Sequence, residues 1–160
     1  MKKPTISILG RPNVGKSTLF NRLIGKRKSI VSPVEGVTRD RIYGTFSWLD
    51  KEYKLIDTGG YIHNSDEVID VQVNKQAELA TSASDLIIFM VDGKSDITSN
   101  DRVLGNTIKK SGLPSILIVN KIDEVDNDEN MYDYYELGFD KIISLSAQSG
   151  RQVGILLDEI

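Results

Sequence analysis

The chain has 160 residues, 39% hydrophobic and 27% charged, with a formal net charge of −3, which is sequence enough for one buried core and offers no broad basic surface for strong nucleic-acid binding by this domain alone. Cysteine is absent, which excludes disulfides and thiolate metal sites and suits a reducing compartment. The start, Met1-Lys2-Lys3-Pro4, leads into only a short apolar run, no run approaches the roughly 18 apolar residues that cross a bilayer, and the expectation is a cytoplasmic protein with no membrane partner.

In chain order, Thr5 to Leu9 reads as a strand that ends in a glycine loop, and Lys16 to Ile24 as a helix. Arg41 to Trp48 and Glu52 to Asp57 read as an antiparallel hairpin around Asp50-Lys51. Asp70 to Ala83 is expected to be helical. Leu86 to Val91 is continuously apolar, as a strand buried on both faces is. A helix over Asp101 to Lys110 precedes a second such strand, Ser115 to Val119. Met131 to Leu137 reads as helix, Lys141 to Leu145 as strand, and Val153 to Ile160 as the opening of a last helix. Strand–helix alternation implies an α/β fold: six strands in a mostly parallel sheet with helices on both faces. Ligands in such sheets sit beyond the carboxyl ends of the strands.

The residues that could carry chemistry fall there. Gly10-Arg11-Pro12-Asn13-Val14-Gly15-Lys16-Ser17, with Thr18 behind it, matches G-x-x-x-x-G-K-[ST] between a strand and a helix. A polyphosphate is held by backbone N–H groups at a helix N-terminus. Lys16 reaches its β and γ oxygens, and the Ser17 hydroxyl ligates Mg²⁺. Asp57-Thr58-Gly59-Gly60 places a carboxylate near Mg²⁺ and the Gly60 N–H near a γ-phosphate; D-x-x-G alone is an ordinary turn, and its value lies in following a strand. Asn120-Lys121-Ile122-Asp123 suits guanine: one carboxylate, Asp123, accepts from both N1–H and the N2 amino group, and it repels the unprotonated N1 of adenine. Asn120 is expected to bond the base and brace the phosphate loop, and the stem of Lys121 to cover one face of the base. In Ser146-Ala147-Gln148, the Ala147 N–H is placed to meet guanine O6. Thr38 lies in a loop where its hydroxyl and N–H can reach Mg²⁺ and the γ-phosphate, so loss of that phosphate releases the loop. The loops Ser29 to Asp40 and Gly59 to Val71 are the expected switches. His63, the acidic stretch Asp123 to Glu129 and Lys26-Arg27-Lys28 read as surface.

The stretches GRPNVGKSTLFNRL, EGVTRDRIYG, DTGGY, FMVDGKSDIT, NKID, YYELGF and ISLSAQSGRQVGILLDEI resemble the translation-factor-related GTPases, and within them the first GTPase domain of the Der (EngA) family. The resemblance covers nearly the whole chain. It implies a Ras-like P-loop fold with one antiparallel strand, Mg²⁺-dependent hydrolysis of GTP to GDP, and a role in assembling the large ribosomal subunit through the full-length protein. It also implies that residues 1–160 are one GTPase domain of a longer protein with a second such domain and a KH-like domain. Lys16, Thr38, Gly60 and Asn13 are the expected catalytic group. Tyr61 stands where many GTPases carry a water-orienting glutamine. The resemblance of Asn13 to potassium-activated members of the superfamily then implies K⁺ beside the phosphates, held by Asn13 and carbonyls of Ser32 to Glu35. A nucleotide-sensing module with little turnover is the competing reading. A P-loop kinase would need an Arg-rich lid and an acceptor site that the sequence does not display.

Overall fold

Two uninterrupted apolar runs and one strand buried throughout fix the middle of the sheet. In the computed structural model, which describes residues 3–25, 30–33, 40–58, 75, 77, 78, 80–122 and 131–160, strand β1 (Thr5–Gly10) is buried at every position. Strand β5 (Leu86–Asp92) is buried except at its two ends, and β6 (Ser115–Asn120) except at Ser115. The apolar runs of β5 and β6 have no polar face to offer to water, so they occupy the centre, and β1 joins them with Ser7 buried against the Ser84 hydroxyl. The described residues form a seven-stranded sheet in the order β2-β3-β4-β1-β5-β6-β7, where β2 is Ile30–Pro33, β3 Asp40–Trp48, β4 Lys51–Asp57 and β7 Ile142–Ser144. Strand β3 pairs antiparallel with both β2 and β4, and all other pairings are parallel. One strand therefore runs against the rest, as the resemblance implies. The count exceeds the expected six because Ile30–Pro33, read as part of a loop, adds an edge strand. Edge position tolerates Pro33 because a proline N has no hydrogen to give to a ladder.

Helices cover both faces, and period-two alternation decides which side chains they meet. Ile88 and Met90 join Ile6, Ile8, Leu55 and Ile118 beneath α1 (Lys16–Ile24) and α4 (Val153–Glu159), through Leu19, Phe20 and Leu156. Ile87, Phe89 and Val91 join Leu117 and Val119 on the other face. There they pack on Ala77 and Ala80, on Leu104 and Ile108 of α2 (Ser99–Lys110), and on Tyr134 of α3 (Met131–Tyr135). Helix α2 begins two residues before the expected Asp101. Thr98 caps it: its side chain accepts from Asp101 N at 3.1 Å, and Thr98 N donates to Asp101 Oδ2 at 3.0 Å, a reciprocal box with Asp in the third helical position. At the far end of the hairpin, Trp48 packs against the α1/α4 core, and its Nε1 donates to Asp158 Oδ1 at 3.1 Å.

Strand register lines up one edge. Gly10 pairs with Met90, Ile8 with Asp57, and Asp92 with Asn120. The chain winds from β1 toward β4 on one side and later adds β5 to β7 on the other, so the crevice after β1 and β5 lies where the winding changes direction, the usual ligand position in such sheets.

Candidate nucleotide-binding site

The loop after β1 closes tightly. Gly15 caps α1 with a left-handed φ of 109°, and a Cβ there would stand 2.1 Å from Asn120 Nδ2. Both facts restrict the position to glycine. Asn13 also takes a left-handed φ, 69°, which asparagine tolerates better than most residues. The first helical bond of α1 runs from Leu19 N to Gly15 O at 3.1 Å. The N–H groups of Lys16, Ser17 and Thr18 therefore have no acceptor within the helix and are available to an anion.

Lys16 is only 6% exposed. Its ammonium donates to Gly10 O at 2.5 Å and to Arg11 O at 2.7 Å. Burial pushes its pKa down to about 8; the Asp57 carboxylate pulls it back up and the Arg11 guanidinium adds to the fall. A buried cation held by two carbonyls is under-neutralised, and a polyphosphate would supply the charge it lacks. Ser17 Oγ donates to Asp57 Oδ2 at 3.1 Å, so a hydroxyl and a buried carboxylate meet beside the lysine. Hard oxygen donors of this kind fit Mg²⁺, which takes few protein ligands and fills its octahedron with phosphate and water oxygens. Among the described residues no group of three or more acidic, His or Cys side chains could hold a metal ion. Thr58 is turned elsewhere: its hydroxyl donates to Ile8 O at 2.7 Å, so its side chain fastens β4 to β1.

The second half of the site is built from β6 and the loop after β7. Asn120, 3% exposed, donates from Nδ2 to Val14 O at 2.8 Å and accepts at Oδ1 from Ala147 N at 2.9 Å. The expected brace to the phosphate loop is present. The Ala147 N–H, expected to turn to guanine O6, goes to Asn120 in this structure. Lys121, with φ 69°, donates to Asn13 O at 3.0 Å and to Asp92 Oδ2 at 2.9 Å. Between these groups a cavity of about 120 Å³ opens, lined by Gly15, Thr18, Lys94, Asn120, Lys121, Ser146 and Gln148. A larger one, about 700 Å³, lies at the opposite ends of the strands, among Pro4, Lys51, Asp85, Pro114 and Lys141, and holds none of the motif residues. Size alone does not mark the site here.

Thr38, Gly59, Gly60, Tyr61, His63 and Asp123 lie outside the described residues, as do Lys26-Arg27-Lys28, the acidic stretch beyond Asp123, and the expected switch loops apart from Ile30–Pro33 and Asp40. Two groups without an expected role, Asp92 and Arg22, stand at the site, and Arg11, expected with the phosphate loop, finds its partner outside that loop. Asp92 closes β5, accepts from Lys94 N at 2.8 Å and anchors Lys121. Burial raises its pKa, but the Lys121 hydrogen bond and neighbouring cations win and hold it below the usual carboxylate range. Its position at the carboxyl end of an apolar strand was the available signal. Arg11 donates to Asp101 Oδ1 at 2.8 Å, tying the phosphate loop to the cap of α2. Arg22, on α1, reaches the loop after β7; nothing in the local sequence points to a partner so far along the chain.

A buried lysine in a glycine-bounded loop, a Ser–Asp pair and an asparagine bridge at one sheet edge define a Ras-like P-loop nucleotide-binding domain. Residues 5–121 match the family described as 50S ribosome-binding GTPase, and the chain belongs to that family: it is a GTPase domain. It is 48% identical over 160 residues to GTPase Der of Clostridium acetobutylicum and 49% identical over 158 residues to GTPase Der of Caldicellulosiruptor saccharolyticus. It spans 36% of the length of each of these relatives. Among solved structures it is similar to the G domain of the Thermotoga maritima FeoB iron transporter, with TM-score 0.74 and 25% identity, covering 99% of this chain and 96% of that one. It also resembles Era bound to MgGDPNP and a segment of 16S ribosomal RNA, with TM-score 0.69 and 28% identity, covering 99% of this chain and 56% of that one. No helix among the described residues is long and apolar enough to cross a membrane.

Proposed function

We propose that this domain binds GTP with Mg²⁺, hydrolyses it slowly, and uses the γ-phosphate to switch loop structure in a cytoplasmic protein that assembles the large ribosomal subunit. The observation that carries the reading is the meeting of Ser17 Oγ and Asp57 Oδ2 at 3.1 Å beside the buried Lys16. In this reading Lys16 leaves the Gly10 and Arg11 carbonyls for the β and γ oxygens, and its charge offsets the charge that builds on the transferring phosphoryl group. Free N–H groups at the start of α1 hold the phosphates in line. Ser17, Asp57 and Thr38 would hold Mg²⁺, which would supply charge neutralisation at the phosphates. Gly60 N–H and Thr38 N–H sense the γ-phosphate, and Asp123 selects guanine. The ribosomal part of the proposal rests on the family and on the relatives named GTPase Der. Their greater length supports the view that the domain works beside a second GTPase domain and a KH-like domain.

Single-turnover hydrolysis of bound GTP tests the enzymatic reading: a rate well above that of free GTP supports it, and a rate equal to free solution turns the domain into a nucleotide sensor. The absence of a glutamine at Tyr61 motivates a further element of the proposal. Asn13 would hold K⁺, which would supply the charge stabilisation that an arginine finger gives elsewhere, so turnover should be faster in K⁺ than in Na⁺ at equal ionic strength, and Asn13→Ala should remove the difference. Equal rates in the two salts would exclude this element alone.

A further inference from the structure

Helix α1 reaches across to the base-binding loop with one side chain. Arg22, in its last turn, donates from Nε to Ala147 O and from Nη2 to Gln148 O, each at 2.5 Å. The partners lie 125 and 126 residues away in sequence, so the contact is not the generic attraction of a basic side chain to its own helix C-terminus. Two consecutive carbonyls taken by one guanidinium fix the peptide between them in position and tilt, because the fork is planar and rigid. A second observation shows that the loop is shaped around this arginine. Gly150 takes a left-handed φ of 87°, and a Cβ there would stand 2.8 Å from Arg22 Nη1.

The fixed peptide neighbours the atom that matters. Ala147 is fully buried, its N–H points at Asn120 Oδ1, and Asn120 in turn grips Val14 O of the phosphate loop. We propose that Arg22 is a positioning residue for guanine recognition: by clamping the carbonyls of Ala147 and Gln148 it holds in place the loop that lines the base cavity through Ser146 and Gln148, and it ties that loop to the helix that carries Lys16 and Ser17. The proposal rests on the guanine-nucleotide reading above and adds a residue to it. Arg22 touches no phosphate and acts only through the base loop. Its removal lowers affinity for GDP and GTP by the same factor and speeds nucleotide release, and it leaves binding of a base-free polyphosphate alone.

The test is equilibrium binding of GDP, GTP and Mg²⁺-tripolyphosphate to the 160-residue chain and to Arg22→Ala and Arg22→Lys. Losing hydrogen bonds from a charged donor predicts that GDP and GTP weaken together by about tenfold in Arg22→Ala. Arg22→Lys should lose nearly as much, because an ammonium cannot fork two carbonyls. Tripolyphosphate affinity should move by less than about twofold, since binding to the phosphate loop alone follows the usual charge-assisted contacts. Unchanged GDP affinity in both variants would overturn the proposal. So would a fall in tripolyphosphate binding that matches the fall for GDP, because Arg22 would then support α1 itself. Should Arg22→Ala fail to fold, Arg22→Lys alone decides between these outcomes. A parent chain that bound ADP as tightly as GDP would bring down the guanine reading, a result distinct from either.

Discussion

The phosphate half and the base half of the site are held together in different ways. Around the phosphates the key lysine bonds to carbonyls five and six residues back along the chain. Glycine geometry and the first turn of α1 do most of the remaining work. Around the base, the groups are stitched across the fold: Asn120 to Val14 over 106 residues, Ala147 to Asn120 over 27, and Arg22 to Ala147 over 125. Most of the phosphate half is specified within β1, its loop and α1, with Asp57 and Asp101 reaching it from further along the chain. A site assembled from distant strands exists only when the whole sheet is in register, so specificity for the base depends on the completed fold and phosphate affinity much less.

Substitutions should separate the halves, and Lys16→Ala should have the largest effect. It removes charge-assisted contacts to two phosphates, worth about a thousandfold in GTP affinity. Titration with a fluorescent GTP analogue reads this directly. Asp123→Asn acts on the other half only. It should shift preference from guanine to xanthine nucleotides by about a hundredfold, because the amide donates where xanthine carries an oxygen. Competition among GTP, ATP and XTP checks it, and unchanged GTP preference would remove Asp123 from the base site. Asn120→Ala breaks the link between the halves and leaves Val14 O and the Ala147 N–H without their partner. Stability in urea should fall by about 2 kcal/mol, at roughly 1 kcal/mol or more for each buried group left unmade, and both GDP and tripolyphosphate should bind less well.

The smallest effect comes from pH. The free site holds Lys16 at a pKa of about 8, and a bound polyphosphate raises that value. Affinity is therefore complete well below pH 8, is halved near pH 8, and declines above it as the amine must be recharged, by about fivefold between pH 8 and 9. Isothermal titration in buffers of different ionisation enthalpy should show proton uptake on binding in that window and none at pH 6. Binding that is independent of pH from 6 to 9.5 would mean Lys16 stays fully charged in the free chain.

The same division explains what the sequence made legible. The loop from Gly10 to Ser17 carries its pattern in eight adjacent residues, and the apolar strands β1, β5 and β6 announce themselves by composition. Strand β2 was hidden because Ile30–Pro33 is short and ends in proline, which reads as loop unless a partner strand is already in view. The early start of α2 is hidden in the sequence because Asp101 serves as a capping group inside the helix, and an Asp before an apolar-periodic run reads as a helix start. Asp92 stood at a strand end where ligands gather, yet an Asp before Gly also reads as a turn. Arg22 could not be found at all, since its meaning lies in carbonyls 125 residues away. Ala147 shows the converse: its N–H was placed at the base site by motif, and the structure adds that Asn120 currently occupies that donor.

Trp48 is the only tryptophan in the chain, and it sits where the hairpin meets α4, hydrogen-bonded to Asp158. Strand β4 carries the chain from beside it to Asp57 in six steps, a span of roughly 20 Å at the usual rise per strand residue. Indole emission of this chain should therefore report whether α4 is docked and respond little to what occupies the phosphate loop. Indole fluorescence suits unfolding curves of this chain, while nucleotide exchange has to be followed with a labelled nucleotide.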